Sequence, residues 1–185
     1  MVKSLFLCEG GDDIGFLNLF IKYLGLKNIV IKKLDNKSNF FKIEIYREKK
    51  IIDMFNTRQY NKLLLIFDSD FQKDNAQTGG FENSKREIKS MIGQLKKEIK
   101  YSCDIDYCIL CNPVSKNGNL EHLIISTLSQ DKQKCVNDLL ECIKPYKNNG
   151  DKKIVLSSYK TIFDEPNYNF RDTNFELLGY KLEQL

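Results

Sequence analysis

The segment Leu63-Leu64-Leu65-Ile66-Phe67 does most to restrict how this chain can fold. Five consecutive apolar residues between Lys62 and Asp68 leave no polar face for a half-exposed antiparallel strand. A strand buried on both faces has this composition, and such strands belong to parallel sheets covered by helices. Shorter strand-like runs recur at Val2 to Leu7, Ile29 to Ile31 and Tyr107 to Leu110. Helical spacing lies between them. Phe16, Leu17, Phe20 and Leu24 predict a helix over Asp12 to Leu24, closed by Gly25. Ile88, Met91, Ile92, Leu95 and Ile99 form one stripe behind Ser84 and Glu87, which are spaced as a capping box. Asn117-Gly118-Asn119 reads as a turn into a helix from Leu120, and Cys135, Val136, Leu139, Leu140 and Ile143 mark another helix that stops near Pro145 and Gly150. Residues 35 to 60 stay ambiguous, because Phe41, Ile43 and Ile45 alternate like a strand whereas Ile51, Ile52 and Phe55 space like a helix. The expected class is α/β: a mostly parallel central sheet with helices on both faces and right-handed crossovers. One domain over residues 1–185 is expected, with a core at 1–125 and a C-terminal helical extension at 126–185.

Several classes are excluded at this level. With 42% apolar residues in 185, the chain can bury a core, and disorder is not expected. The five-residue apolar run is far short of the roughly 20 residues that span a bilayer, so no membrane partner is expected. One Lys, a short apolar stretch from Leu5 to Cys8 and then Glu9 do not resemble a secretory signal, so the expected location is the cytoplasm. The net charge of +4 comes from 29 basic and 25 acidic residues, and only Arg47, Arg58, Arg86 and Arg171 are arginines. Lys, Asn and Ile share AT-rich codons, so the Lys excess is read as background rather than as a polyanion-binding face. Lys85, Arg86, Lys89, Lys96, Lys97 and Lys100 on the Ser84 helix either track a phosphate backbone or form a solvated face. The six cysteines lack the paired spacings of a zinc ribbon, and His122 is the single histidine, so buried reduced thiols are expected.

The acids are more informative. Ligands of parallel α/β sheets bind beyond the carboxyl ends of the strands. The first strand runs into Glu9-Gly10-Gly11-Asp12-Asp13, the third into Asp68-Ser69-Asp70, and the turn after the fourth into Glu121. Each acid has an ordinary reading: Asp12 as a helix cap, Asp13 and Glu121 as first-turn charges, Asp68 and Asp70 as turn formers. Jointly, carboxylates at three strand ends repel one another unless a cation lies between them. Hard oxygen donors suit Mg²⁺ or Mn²⁺. Asp68 and Asp70, two residues apart, are expected to point the same way, and Gly10 and Gly11 to supply loop flexibility and room for a substrate. No phosphate-cradling glycine motif is present.

The stretch from Leu5 to Asp13, followed by Leu64-Leu65-Ile66-Phe67-Asp68-Ser69-Asp70, resembles the Toprim domain of topoisomerases, primases and related nucleases, a Rossmann-like fold with a strand ending in Glu-Gly and a later strand ending in Asp-x-Asp. Gly118-Asn119-Leu120-Glu121 adds a resemblance to small stand-alone Toprim-related proteins similar to the Toprim part of overcoming-lysogenization-defect nucleases. The resemblance covers about the first 125 residues. It implies Glu9 as metal ligand and general acid or base, Asp68 and Asp70 as the metal-binding pair, and Asp13 and Glu121 as further ligands. It also implies a late lysine, for which Lys152, Lys153 and Lys160 are the candidates. Cys8 departs from the usual Val or Ile before the glutamate. The Asp-Pro-Asp of the small Toprim ribonuclease that matures 5S ribosomal RNA is absent, as are the tyrosine-bearing domain of topoisomerases and the ATPase domain of the lysogenization-defect proteins.

The leading expectation is therefore a Mg²⁺- or Mn²⁺-dependent phosphodiesterase acting on DNA or RNA, with Glu9, Asp68 and Asp70 as its catalytic carboxylates. The alternative is a non-catalytic module that grips a nucleic acid, nucleotide or protein, as a homodimer or a phage-defence subunit. Tyr159, Phe163, Tyr168 and Phe170 are expected to form a covering layer over the sheet rather than a base-stacking surface.

Overall fold

The computed structural model of the chain describes residues 3–73, 75–143 and 168–184. Four strands form one sheet: β1 (Ser4–Cys8), β2 (Ile29–Lys33), β3 (Lys62–Asp68) and β4 (Asp104–Leu110), in the order β2-β1-β3-β4. All three pairings are parallel, with Leu5 opposite Val30 and Leu63, and Leu65 opposite Tyr107. The apolar run at 63–67 is completely covered, as is all of β1.

Alternation along the strands divides the core into two. Phe6, Cys8, Leu64, Ile66, Cys108 and Leu110 face one side, where they meet α1 (Gly11–Tyr23), α5 (Leu120–Ser126), α6 (Gln130–Ile143) and α7 (Glu176–Glu183). Leu5, Leu7, Leu63, Leu65, Phe67 and Ile109 face the other, beneath a 3₁₀ turn at Lys37–Phe41, α2 (Ile43–Glu48), α3 (Ile51–Asn56) and α4 (Phe81–Glu98). The fold is therefore α/β with helices on both faces of an all-parallel sheet. Tyr168 and Phe170 do form a covering layer: their rings lie 5.1 Å from Phe16 and 4.7 Å from Phe20, respectively. Tyr159 and Phe163 lie outside the described residues.

Four local readings change. The ambiguous stretch is helical, because Phe40, Ile43 and Tyr46 recur at helical spacing against the sheet, and the Tyr46 hydroxyl donates to the Phe40 carbonyl at 2.9 Å. α4 begins at Phe81 behind Gly80, so Ser84 is no cap; its buried hydroxyl donates to the Thr78 carbonyl at 2.8 Å, tying the preceding loop to the helix. Asp12 is likewise inside α1, whose first turn is closed by Asp13 accepting from the Gly10 amide at 2.8 Å. Of the six cysteines, Cys8, Cys108 and Cys111 are buried, Cys103 is half-buried, and Cys135 and Cys142 are exposed on α6, against expectation.

The topology also fixes where a site can form. From β1 the chain crosses on the α1 face to β2 at one side; from β3 it crosses on the α4 face to β4 at the other. The strand order reverses between β1 and β3, and the edge beyond the carboxyl ends of two such strands is where open α/β sheets bind ligands. Glu9 follows β1 there and Asp68 ends β3.

Candidate functional site

At that switch point the two strand ends are joined through a side chain: the Asp68 amide donates to Glu9 Oε1 at 2.8 Å. Asp68 Oδ1 in turn accepts from the Leu120 amide at 2.9 Å, which docks the first turn of α5 on the end of β3. Asn119 caps α5, with its Oδ1 accepting from the His122 amide at 3.3 Å, and this brings Glu121 onto the same edge. Glu9, Asp13 and Asp68 thus each commit one carboxylate oxygen to a backbone N–H at 2.8–2.9 Å, so their positions depend on main chain rather than on loose side-chain contacts.

The electrostatics of the group follow from burial and mutual repulsion. Burial is the largest influence on Asp68 and raises its proton affinity well above the carboxylate range; the charges of Glu9, Asp13, Glu121 and Asp70 all push the same way. Burial likewise lifts Glu9 to about 7, opposed by the Asp68 amide and Lys37 and reinforced by Asp70 and Asp13. Asp13 is raised by burial, with the Gly10 and Glu9 backbone opposing. The Cys8 thiol beneath them is pushed up to about 12 by burial and by Asp13 and Glu9, so it is an inert packing group. The other four carboxylates expected as ligands, Glu9, Asp13, Asp70 and Glu121, are therefore close enough to act on Asp68. Among the described residues, no three His, Cys, Asp or Glu side chains stand together as a ready-made metal-binding group.

Asp70 is held differently from the expectation. It has a φ of 57° and lies past the end of β3, so the two-residue alternation no longer governs its direction. Its amide donates to the Gly118 carbonyl at 2.6 Å and the Gly118 amide returns the bond at 3.2 Å, pairing the loops after β3 and β4. Between the two aspartates, Ser69 is fully buried and clamped: its amide donates to Leu110, its hydroxyl to the Lys116 carbonyl at 3.2 Å, and its carbonyl accepts from the Gly80 amide at 3.0 Å.

Gly10 and Gly11 do not supply the expected backbone freedom. Gly10 is extended, with a φ of −141°, and neither residue has a positive φ. A side chain at Gly11 would meet nothing within 4 Å, so no close approach demands glycine there. Gly118 is the demanding position: its φ is +91°, and a Cβ there would lie 2.4 Å from His122 Cγ.

Sequence reasoning missed Lys37. Its side chain is nearly buried, and its ammonium donates to the Ser69 carbonyl at 2.5 Å and to Asp70 Oδ2 at 3.3 Å. Lys37 lies four residues after β2, on the same edge as the other three strand ends. The signal that could have found it was the rule already applied to β1, β3 and β4, but the ambiguity of 35–60 hid it. Lys152, Lys153 and Lys160, the candidates for a late lysine, lie outside the described residues.

Compared with protein-family models, curated proteins and solved structures, the chain matches none.

Proposed function

We propose that this chain is a metal-dependent phosphodiesterase of the Toprim type that acts on nucleic acid. The observation that carries the reading is the junction of Glu9 and Asp68 at the sheet's switch point, where burial and the charges of Asp13 and Asp70 raise the proton affinity of both carboxyls. Such a site gains from any cation that replaces those protons. The donor chemistry fits Mg²⁺ or Mn²⁺: Glu9, Asp13, Asp68, Asp70 and Glu121 offer hard oxygens only. When bound, such a metal supplies Lewis-acid stabilisation of phosphoryl oxygens and a water of lowered pKa. The chain's own contribution is positional. The amides of Asp68 and Leu120 orient Glu9 and Asp68 through one carboxylate oxygen each, and the Glu9 carboxylate is the proton acceptor of this reading. Lys37 fixes the Asp68-Ser69-Asp70 turn from behind.

The test is cleavage of end-labelled DNA and RNA in Mg²⁺ or Mn²⁺ by the wild type and by Asp68→Asn and Glu9→Gln. Metal-dependent cleavage lost in both folded variants supports the reading; cleavage equal to wild type in the double variant refutes it. Lys37 also favours a second reading, a non-catalytic binding module for nucleic acid, nucleotide or protein, because its ammonium already pairs Asp70. Calorimetric titration with Mn²⁺ separates the two: no heat of binding at millimolar metal supports the module.

A further inference from the structure

The carboxylate loops carry a second layer that the proposed chemistry does not use. Phe71 directly follows Asp70, and its ring packs edge-on against His122 of α5 with centroids 5.4 Å apart. Lys73 places its ammonium 5.4 Å from the centroid of the Phe71 ring. Phe81 opens α4 beside Gly80, whose amide is bonded to Ser69. The Phe81 ring has Lys85 at 5.9 Å and Lys116 at 5.7 Å, the latter from the loop after β4 that Ser69 also grips. Three lysines from three segments thus meet two half-buried rings, and the segments are tied to Asp68-Ser69-Asp70 by sequence at Phe71 and by hydrogen bonds to Ser69 at Gly80 and Lys116. Lys85 also faces Glu82 at 3.9 Å, an exposed pair that a phosphate can replace at little cost.

We infer that this rim is a binding track for single-stranded nucleic acid, with phosphates on Lys73, Lys85 and Lys116 and an unpaired base on the Phe81 ring. Ammonium groups hovering over ring faces are exchangeable: when phosphates draw the lysines outward, the face they leave stacks a base. A duplex keeps its base faces covered and can use only the lysines, so the aromatic half of the rim favours an unpaired strand. Without a metal the acids repel phosphate from the strand ends while the lysines attract it to the margin, which sets the polarity of the arrangement. The inference rests on the proposed function for the nucleic-acid identity of the strand, but concerns binding rather than cleavage.

The test is fluorescence anisotropy of full-length protein in Ca²⁺ with labelled oligo-dT and oligo-rU of about ten nucleotides and with a hairpin duplex of the same length, across a salt series. Expected results are tighter binding of one or both single strands than of the hairpin, and a salt slope reduced by about 2 in the Lys73→Ala/Lys85→Ala/Lys116→Ala variant, at ~0.7 per phosphate contact. Phe81→Leu, which keeps the apolar packing, is expected to weaken single-strand binding roughly tenfold and leave the slope unchanged. Equal or tighter binding of the hairpin, or an unchanged slope in the triple variant, overturns the inference. Persistent strand binding without cleavage in Mg²⁺ defeats the nuclease reading alone, and cleavage with wild-type strand binding by the rim variants defeats the rim alone.

Discussion

Glu9→Gln is expected to stabilise the metal-free protein above neutral pH, although it removes the residue most central to the proposed chemistry. Glutamine keeps the Oε1 acceptor that the Asp68 amide uses at 2.8 Å and removes only the charge. An unfolded glutamate titrates near 4.5, whereas Glu9 in the fold titrates at about 7. A carboxyl whose folded value is raised destabilises the fold in its ionised form. The penalty is absent below about 4.5, grows between 4.5 and 7, and is complete above 7. At ~1.36 kcal/mol per pH unit the full penalty is about 3 kcal/mol. Removing the Glu9 charge also relieves Asp68, for which Glu9 is the foremost charged neighbour, so the two carboxyls titrate as a pair. For a chain of this length, each kcal/mol moves the melting temperature by ~2–4 °C, giving a rise of roughly 6–12 °C for Glu9→Gln at pH 8 in EDTA. The assay is thermal unfolding by circular dichroism from pH 4 to 9. The two proteins should coincide near pH 4 and diverge up to about pH 7. A constant offset at every pH, or a less stable variant at pH 8, would refute the claim that the charge of Glu9 is uncompensated.

Other perturbations address the remaining parts of the site. Adding Mn²⁺ at about 100 times its dissociation constant should stabilise wild type by ~2.7 kcal/mol, with Asp68→Asn showing no such gain in the same melting assay. Lys37→Met removes donors from the Ser69 carbonyl and Asp70 and should cost about 2–3 kcal/mol in urea unfolding, with Lys37→Arg recovering part of the loss. Gly118→Ala forces a Cβ to 2.4 Å from His122 Cγ at a φ of +91°, and should cost at least ~2 kcal/mol while shifting the His122 ring resonances in NMR spectra. Leu65→Ala, in the fully covered centre of β3, should lose about 3–5 kcal/mol without altering metal affinity per folded molecule.

Much of this molecule could be read from order and composition. The apolar run at 63–67 implied a strand covered on both faces, and strand-helix alternation implied a parallel sheet, because both depend on which residues can leave water. From that sheet, Glu9, Asp68 and Glu121 followed as residues on one edge. Local sequence was a poorer guide where two patterns overlapped: Phe41, Ile43 and Ile45 alternate like a strand, yet packing against the sheet made them helical. Ser84 was misread because its hydroxyl serves the loop before the helix rather than the helix end.

What the sequence determined by itself was the set of carboxylates and the edge on which they fall, since a parallel sheet sends every strand's end the same way. Tertiary structure alone decided how they are held and what balances them. The Asp68 amide reaches Glu9 across 59 positions, the Leu120 amide reaches Asp68 across 52, and Lys37 arrives from 33 positions before Asp70. Contacts between residues so far apart have no local pattern to betray them. They exist because strand order placed β1 and β3 side by side and let the segment after β2 fold back over their ends.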